Sequence, residues 1–401
     1  MQLISPFHSK AKKGIEGRKT EREDWAHFQA IQKPIVWFHC ASLGEYEQGK
    51  PLMQKIKEER PDTFLLVSFY SPSGHEHVKG SKLPDSVIYL PLDSKANMRA
   101  LLTRLSPSLV ILVKYELWLN WLNELFIRQV PVVLISARIE SGGSFLQSPF
   151  RKLYVHALGR MKHIFTQTHQ SAMDLKGLLP ENIVTESSDT RFDRVLSSRQ
   201  TASPIQEIAT LCEGRFVWIC GSTYEEEEKM ILQAYQKMKA SHDPLLIFAP
   251  HEIDKGRMAK WVSELGGNAQ IYSTFKPEQK TDILWIDHIG WLSRLYQYGN
   301  IALIGGAWGK GLHNILEAVT FGCPVVFGPK YENFPEAVDL IQLGGAFAYS
   351  NQEELEFYLS TLEQDDALRE KIAQINTAYI DEKAGATQQI FDFLLNERLL
   401  P

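Results

Sequence analysis

No stretch of the 401 residues approaches the roughly 20 consecutive apolar residues that span a bilayer. The opening Met-Gln-Leu-Ile-Ser-Pro-Phe also lacks the apolar core of a signal peptide. Cysteine is scarce: Cys40, Cys212, Cys220 and Cys323 form no C-x-x-C pair, which argues against a disulfide scaffold and for a reducing, cytosolic compartment. Neither charge sign dominates, with 43 Lys and Arg against 48 Asp and Glu. Wholesale attraction to nucleic acid is therefore not expected, and any anionic partner must be recognised locally. There is no Gly-Lys-Ser/Thr phosphate loop, no G-x-G-x-x-G with its downstream acid and no Gly-x-Ser-x-Gly elbow. No His/Cys/Asp/Glu group has metal-ligand spacing, so a metal-independent mechanism is expected.

What the chain does have is 44 % hydrophobic residues in short apolar runs that alternate with amphipathic stretches, the pattern of parallel sheets covered by helices. The runs predict strands over 35–39, 63–68, 87–90, 109–113, 132–135 and 163–166, then over 216–220, 245–249, 283–286, 301–304 and 324–327. The expected fold class is α/β, with two doubly wound Rossmann-like domains over 1–192 and 193–376. The seam is read near Asp193 to Pro204, where Ser197, Ser198, Arg199, Gln200, Thr201 and Ser203 interrupt the apolar periodicity. Residues 377–399 predict one long helix, with Ile380, Ile390, Phe393 and Leu394 on its apolar face, packing back across the domains. In open α/β sheets ligands bind beyond the carboxyl ends of the strands, so chemistry is sought in the loops that follow them.

Directly after the first strand comes His39-Cys40-Ala41-Ser42-Leu43-Gly44-Glu45. A carboxylate there, behind a glycine that lets a substrate approach, suits a general base. Ser42 and Glu45 also have S-x-x-E spacing, so Glu45 could equally be half of a capping box; Pro51 counts against a helix begun at Ser42. Both readings stay open. The turn Gly305-Gly306-Ala307-Trp308-Gly309-Lys310-Gly311 leads into Leu312-His313-Asn314-Ile315-Leu316-Glu317. Glycine-rich strand-to-helix turns expose amides that favour a phosphate, and Glu317, on one helix face with His313, could take ribose hydroxyls. A third loop, Gly221-Ser222-Thr223-Tyr224 followed by Glu225 to Glu228, reads mainly as a capped helix start, with Gly221, Ser222 and Thr223 as the reasonable ligand contacts. Glu116, Arg138 and the pair Pro250-His251 each follow a predicted strand and are weaker candidates alone.

Taken in order, Ala41-Ser42-Leu43-Gly44-Glu45, Tyr115-Glu116-Leu117-Trp118 with Asn120, Ala137-Arg138-Ile139, Arg191-Phe192-Asp193, Gly221-Ser222-Thr223, Pro250-His251 and His313-Asn314-x-x-Glu317 resemble the Kdo transferases. These enzymes attach 3-deoxy-D-manno-oct-2-ulosonic acid (Kdo) to the lipid A precursor in lipopolysaccharide biosynthesis. The resemblance covers nearly the whole chain. It implies a GT-B fold with two domains facing a central cleft, an N-terminal acceptor domain, a C-terminal domain for the donor CMP-Kdo, and metal-independent inversion with no cofactor. Glu45 then corresponds to the general base. Asn314 and Glu317 correspond to nucleotide contacts, with Gly221, Ser222, Thr223, Pro250, His251, Gly305, Gly306, Gly311 and His313 on the donor side. Ser42, Gly44, Glu116 and Arg138 correspond to the acceptor or sugar side.

Two departures stand out. Many members have Pro-Arg-His where this chain has Pro250-His251, which removes an arginine expected at the leaving phosphate; His251, Lys255 or Arg257 could take its place. Most members also open with an apolar membrane-anchoring helix that is absent here, which implies a shortened chain or a peripheral variant at the cytoplasmic face of the inner membrane. The run Lys10, Lys12, Lys13, Arg18, Lys19 and Arg22, diluted by Glu16, Glu21 and Glu23, is either a solvated helix or a patch for anionic lipid. Phe145, Leu146 and Phe150 in the loop 141–150 are candidates for acyl or membrane contact, while Trp118, Trp121, Leu122, Leu125 and Phe126 read as a core stripe. Two other readings remain: a GT-B transferase using a UDP-sugar, and a non-catalytic nucleotide-sugar-binding protein.

Overall fold

Strands that are apolar at every position must be covered on both faces, and the two sheets of this protein are built that way. The computed structural model describes residues 14, 16–18, 25–140, 142–238 and 243–400. The chain divides into two units, Met1–Asp193 with Lys383–Pro401, and Arg194–Glu382.

The first unit carries seven parallel strands: β1 (Ile35–Cys40), β2 (Phe64–Phe69), β3 (Ser86–Tyr89), β4 (Leu109–Val113), β5 (Val132–Ala137), β6 (His163–Thr166) and β7 (Val184–Glu186). Their order is β3-β2-β1-β4-β5-β6-β7. Central β1 has Phe38 beside Val67 and Ile111. Val36, Phe38 and Cys40 pack on one face with Leu52, Met53 and Ile56 of the helix Leu43–Glu59. Trp37 packs on the other face against Trp121, with ring centroids 4.6 Å apart. Trp121, Leu122 and Leu125 are buried in this core, as the core reading of that stripe required.

Two expectations change here. The helix Leu43–Glu59 begins at its Ser42 cap and continues through Pro51. It forgoes only the one bond that proline cannot donate, because apolar burial on either side holds the path. The predicted terminal helix is two helices, Asp366–Lys383 and Ala386–Asn396, broken at Gly385 with φ 113°. The second returns to the first unit, burying Ile390, Phe391 and Leu394 with Val36, Phe38 and Met53. Asp193 fixes its start: the carboxylate accepts from the Gly385 N–H at 2.5 Å and from the Thr387 N–H and Oγ1 at 2.8 Å each.

The second unit repeats the plan with β8 (Val217–Gly221), β9 (Leu245–Ala249), β10 (Ala269–Ile271), β11 (Ile283–Trp285), β12 (Ile301–Ile304), β13 (Val325–Phe327) and β14 (Ala346–Ala348). The order is β10-β11-β9-β8-β12-β13-β14, all parallel. Trp218, Phe248 and Trp285 form its core with Leu355 and Leu359. The sequence reading missed β7, β10 and β14, all three-residue edge strands. An edge strand is covered by a neighbour on one side only, so it needs no long apolar run. The polar stretch at the predicted seam is helical instead: the helix Thr190–Thr201 buries Phe192 and Val195 and turns Ser197 and Gln200 to solvent.

Candidate functional site

In each sheet the winding reverses between two central strands, β1 and β4 in the first, β8 and β12 in the second. Connections on the two sides leave toward opposite faces there, which opens a crevice beyond the carboxyl ends. Backbone strain collects at these ends. Lys114 after β4, Ser136 near the end of β5 and Ser222 after β8 hold φ of 71°, 52° and 52°, at about 1–3 kcal/mol each.

In the first unit, Ser42 Oγ accepts from the Glu45 N–H at 3.4 Å, and Glu45 folds back so that Oε2 accepts from the Ala41 N–H at 2.5 Å. Ser42 Oγ lies 3.5 Å from Glu45 Oε1 and donates to it. The cap holds the carboxylate at the strand end, so the capping reading and the chemical reading describe one side chain. Gly44 beside it is exposed, and a Cβ there would meet only Ser42 Oγ, at 3.9 Å. The fold does not require glycine at this position, and the space is open.

Glu45 is 7 % exposed. Burial first, and then the charge of Glu116, push its carboxyl from 4.5 up to about 7, against the opposing pull of the Ala41 amide, Lys114 and Ser42. Glu116, also buried, accepts from Trp118 Nε1 at 2.8 Å and has His39 Nε2 3.5 Å from its Oε2. Arg138 is half-exposed and donates from Nε to Glu140 Oε1 at 3.0 Å. Ser42, Gly44, Glu45 and Glu116 therefore gather at the β1/β4 reversal, while Arg138 follows β5, one strand further along.

In the second unit, the loops after β8, β9 and β12 are tied together by their backbones. The Ser222 N–H donates to Ala249 O at 2.8 Å, the His251 N–H to Thr223 O at 3.1 Å, and the Gly305 N–H to Gly221 O at 3.0 Å. The glycines serve this packing. A Cβ on Gly305 would collide with Ser222 O, and one on Gly306, at φ 96°, would collide with Gly311 O. The turn is also not an open nest of amides. The buried carboxylate of Glu227 occupies it, accepting from the Gly306 N–H at 2.7 Å and the Tyr224 N–H at 3.0 Å. Burial pushes this carboxyl up to about 7 despite both bonds. Thr223 is likewise buried, donating to Glu228 Oε1 at 3.3 Å.

The helix expected to carry both His313 and Glu317 starts only at Leu316 and ends at Val319. Asn314 Oδ1 accepts from the Leu316 N–H at 3.2 Å in the turn just before this helix, so His313 and Glu317 do not share a helix face. Glu317 Oε1 instead accepts from Arg194 at 3.1 Å and Asn314 at 3.3 Å. His313 stacks on His251 with centroids 4.4 Å apart, and its Nε2 lies 3.2 Å from Tyr224 Oη. Burial and the neighbouring His251 push the His313 imidazole down to about 4, which leaves it neutral at pH 7. Beside this stack a cavity of about 330 Å³ is lined by Gly306, Trp308, Lys310, Tyr224, Glu226 and Arg257, among others. Arg257 donates from Nη2 to Glu252 O at 3.1 Å and has Nε 3.4 Å from Glu228 Oε2.

The family model described as 3-deoxy-D-manno-octulosonic-acid transferase (kdotransferase) matches residues 17–194, nearly all of the first unit's leading segment. The 3-deoxy-D-manno-octulosonic acid transferase of Haemophilus influenzae is 26 % identical over 372 residues, 90 % of this chain and 86 % of that protein. The enzyme of the same name from Aquifex aeolicus is 25 % identical, covering 87 % of this chain and 93 % of its own. The chain is similar to these Kdo transferases over most of its length. It is a glycosyltransferase with the GT-B fold, and the solved UDP-GlcNAc 2-epimerase of Neisseria meningitidis shares that fold. It superposes with a TM-score of 0.64 at 16 % identity, over 91 % of this chain and all of the other.

Sequence reasoning on this Kdo transferase relative missed three functional-looking side chains. Glu227 and Glu228 were hidden in a run of four glutamates that capping explains, and His39 ended an apolar strand. The only signal was position, since each lies within a few residues of a strand's carboxyl end. Among the described residues no three His, Cys, Asp or Glu side chains are grouped to hold a metal ion, and no helix is long and apolar enough to cross a membrane. Of the apolar loop, Phe145 packs on Tyr115 and Tyr154 and Leu146 is buried; only Phe150 stays exposed, beside exposed Leu153. That corrects the loop reading, because a short helix, Ser144–Gln147, turns the first two residues inward. Lys10, Lys12, Lys13, Lys19, Arg22, Glu21, Glu23 and Ser141 lie outside the described residues. Arg18 is half-buried and tied to the fold, donating to Leu90 O at 2.8 Å and Tyr70 O at 2.6 Å.

Proposed function

We propose that this enzyme transfers Kdo from CMP-Kdo to a hydroxyl of the lipid A precursor (a tetraacyldisaccharide 4'-phosphate), with inversion and without a metal or cofactor, at the cytoplasmic face of the inner membrane. The observation that carries the reading is Glu45, a buried carboxyl capped in place at the β1/β4 reversal, with an open glycine beside it. A base poised near 7 is well matched to neutral operation. Glu45 takes the proton of a primary acceptor hydroxyl as that oxygen bonds to C2 of Kdo. The bond from C2 to the phosphate oxygen breaks, and CMP departs with the electron pair.

The transition state has oxocarbenium character, as in glycoside chemistry, so negative charge grows on the departing phosphate. With the Gly306 amide held by Glu227, the groups suited to that charge are the cations of the adjoining cavity, Arg257 and Lys310. Arg257 is thus the best of the three candidates for the arginine missing before His251. Product formation from CMP-Kdo generated in situ, with the tetraacyldisaccharide as acceptor, tests the reading. Transfer only from UDP-sugars would replace it with the UDP-sugar reading, and nucleotide binding without product would make the protein a binding module.

A further inference from the structure

The turn after β4 holds a lysine where the backbone favours glycine. Lys114 donates its N–H to Ile135 O at 2.9 Å, which keeps it in the ladder between β4 and β5, and then turns at φ 71°. Only Gly, and Asn or Asp through their short polar side chains, enters this region readily. Longer side chains held there are strained, and such residues cluster at active sites and ligand clamps. The Lys114 side chain is half-buried, with Nζ 5.5 Å from the centroid of the Tyr115 ring. Its ammonium makes no hydrogen bond or ion pair among the described residues, yet its charge acts on Glu45. Arg138, the cation after β5, is already paired with Glu140 at 3.0 Å.

The proposed reaction supplies an anion for this unpaired cation. Kdo is a 2-ulosonic acid, so its C1 carboxylate is bonded directly to C2, the carbon that the acceptor oxygen attacks. Where Glu45 takes the proton of that oxygen, the carboxylate lies only a few bonds away, close to the carboxyls of Glu45 and Glu116. Like charges at such range repel, and a cation beside them offsets the repulsion. We propose that Lys114 is a substrate-binding residue, whose ammonium takes the C1 carboxylate of Kdo as the sugar is transferred. This deepens the reading of Glu45 as the base and rests on it. The strained turn fixes where the side chain leaves the strand end, and the Tyr115 ring flanks its ammonium.

The test is Kdo transfer by the full chain from CMP-Kdo generated in situ at graded concentrations, at about pH 8.5, above the midpoint of the Glu45 carboxyl. Lys114→Gly and Lys114→Asn both suit the backbone and both remove the charge. Each should raise KM for CMP-Kdo by about 10- to 100-fold, the usual worth of a hydrogen bond to a charged group. The change in kcat should be far smaller, because the carboxylate is present in ground state and transition state alike. Lys114→Arg should hold KM within a few-fold of wild type. Lys114→Gly should melt no lower than wild type, since relief of the turn offsets the added freedom of the unfolded chain. The acid limb should move to higher pH in both neutral variants, because Lys114 pulls the Glu45 carboxyl down. An unchanged KM for CMP-Kdo would overturn the assignment. So would a rise confined to KM for the acceptor and abolished with the dephosphorylated disaccharide, which would assign the lysine to the 4'-phosphate. A lower melting temperature in Lys114→Gly would contradict the strain that singles out this residue. Full activity in Glu45→Gln, read with Lys114 intact, would instead defeat the base reading, which separates the two failures.

Discussion

The two strand-end loops use glycine and glutamate for opposite purposes. In the first unit Gly44 stands in open space and Glu45 closes a capping box that leaves its carboxyl at the crevice. In the second, Gly305 and Gly306 are demanded by close backbone packing, and Glu227 is spent inside the turn on the Gly306 and Tyr224 amides. A glycine that the fold does not need marks room for a substrate. A glycine that the fold does need says little about ligands, however many of them cluster. The proposed donor side is therefore read better from its cavity cations and its stacked His251, His313 and Tyr224 rings than from its glycine density.

Substitutions in both loops test that contrast. The largest effect is expected from Glu45→Gln. It should cost about 10²- to 10⁴-fold in transfer, the usual worth of a general base, while CMP binding measured by calorimetry stays near wild type. The glycines should separate next. Gly306→Ala places a side chain at φ 96° against the Gly311 carbonyl and should lower unfolding stability by on the order of 1–3 kcal/mol or more in denaturant melts. Gly44→Ala lies in an exposed first turn and should hold or raise stability by about 0.5–1 kcal/mol while slowing transfer. Stability losses of equal size at both positions would erase the distinction.

A smaller effect comes from Glu227. A carboxyl raised from 4.5 to about 7 in the folded chain favours folding below 4.5 and withdraws that contribution as pH climbs through 7. The wild type should therefore lose stability relative to Glu227→Gln between pH 5 and 8, whatever constant offset the lost hydrogen bond adds. Parallel melting-temperature curves would contradict the buried-charge account. The smallest effect is expected on the surface. Phe150, 58 % exposed beside Arg151, Lys152 and exposed Leu153, should contribute a few-fold to flotation with anionic vesicles, lost in Phe150→Ser. Phe145→Ser should act through folding instead.

The central strands were legible because burial on both faces leaves an unbroken apolar run, as in Val36-Trp37-Phe38 or Leu109 to Val113. The edge strands β7, β10 and β14 were not, since half of their surroundings are solvent or loop. Glu45 was legible as a residue but not as a choice: its spacing fitted a cap and a base equally, and the structure shows the cap, with the carboxyl buried at the strand end where the proposed base is needed. The position of Glu317 relative to His313 was misread because the chain stays non-helical until Leu316, with Asn314 Oδ1 taking the Leu316 N–H in the turn before it, which i,i+4 spacing alone cannot reveal. Glu227 and His39 were invisible for a common reason. Each faces a partner far away in sequence: Glu227 the backbone amide of Gly306, 79 positions on, and His39 the carboxylate of Glu116, 77 positions on.

The central claim is that ionisation of Glu45 governs transfer. It is tested most directly by kcat/KM for Kdo transfer measured from pH 5 to 9. An acid limb with a midpoint near 7, absent from the residual activity of Glu45→Gln, is the predicted result. A profile flat through that range, or a limb near 4.5 that persists in Glu45→Gln, would contradict it.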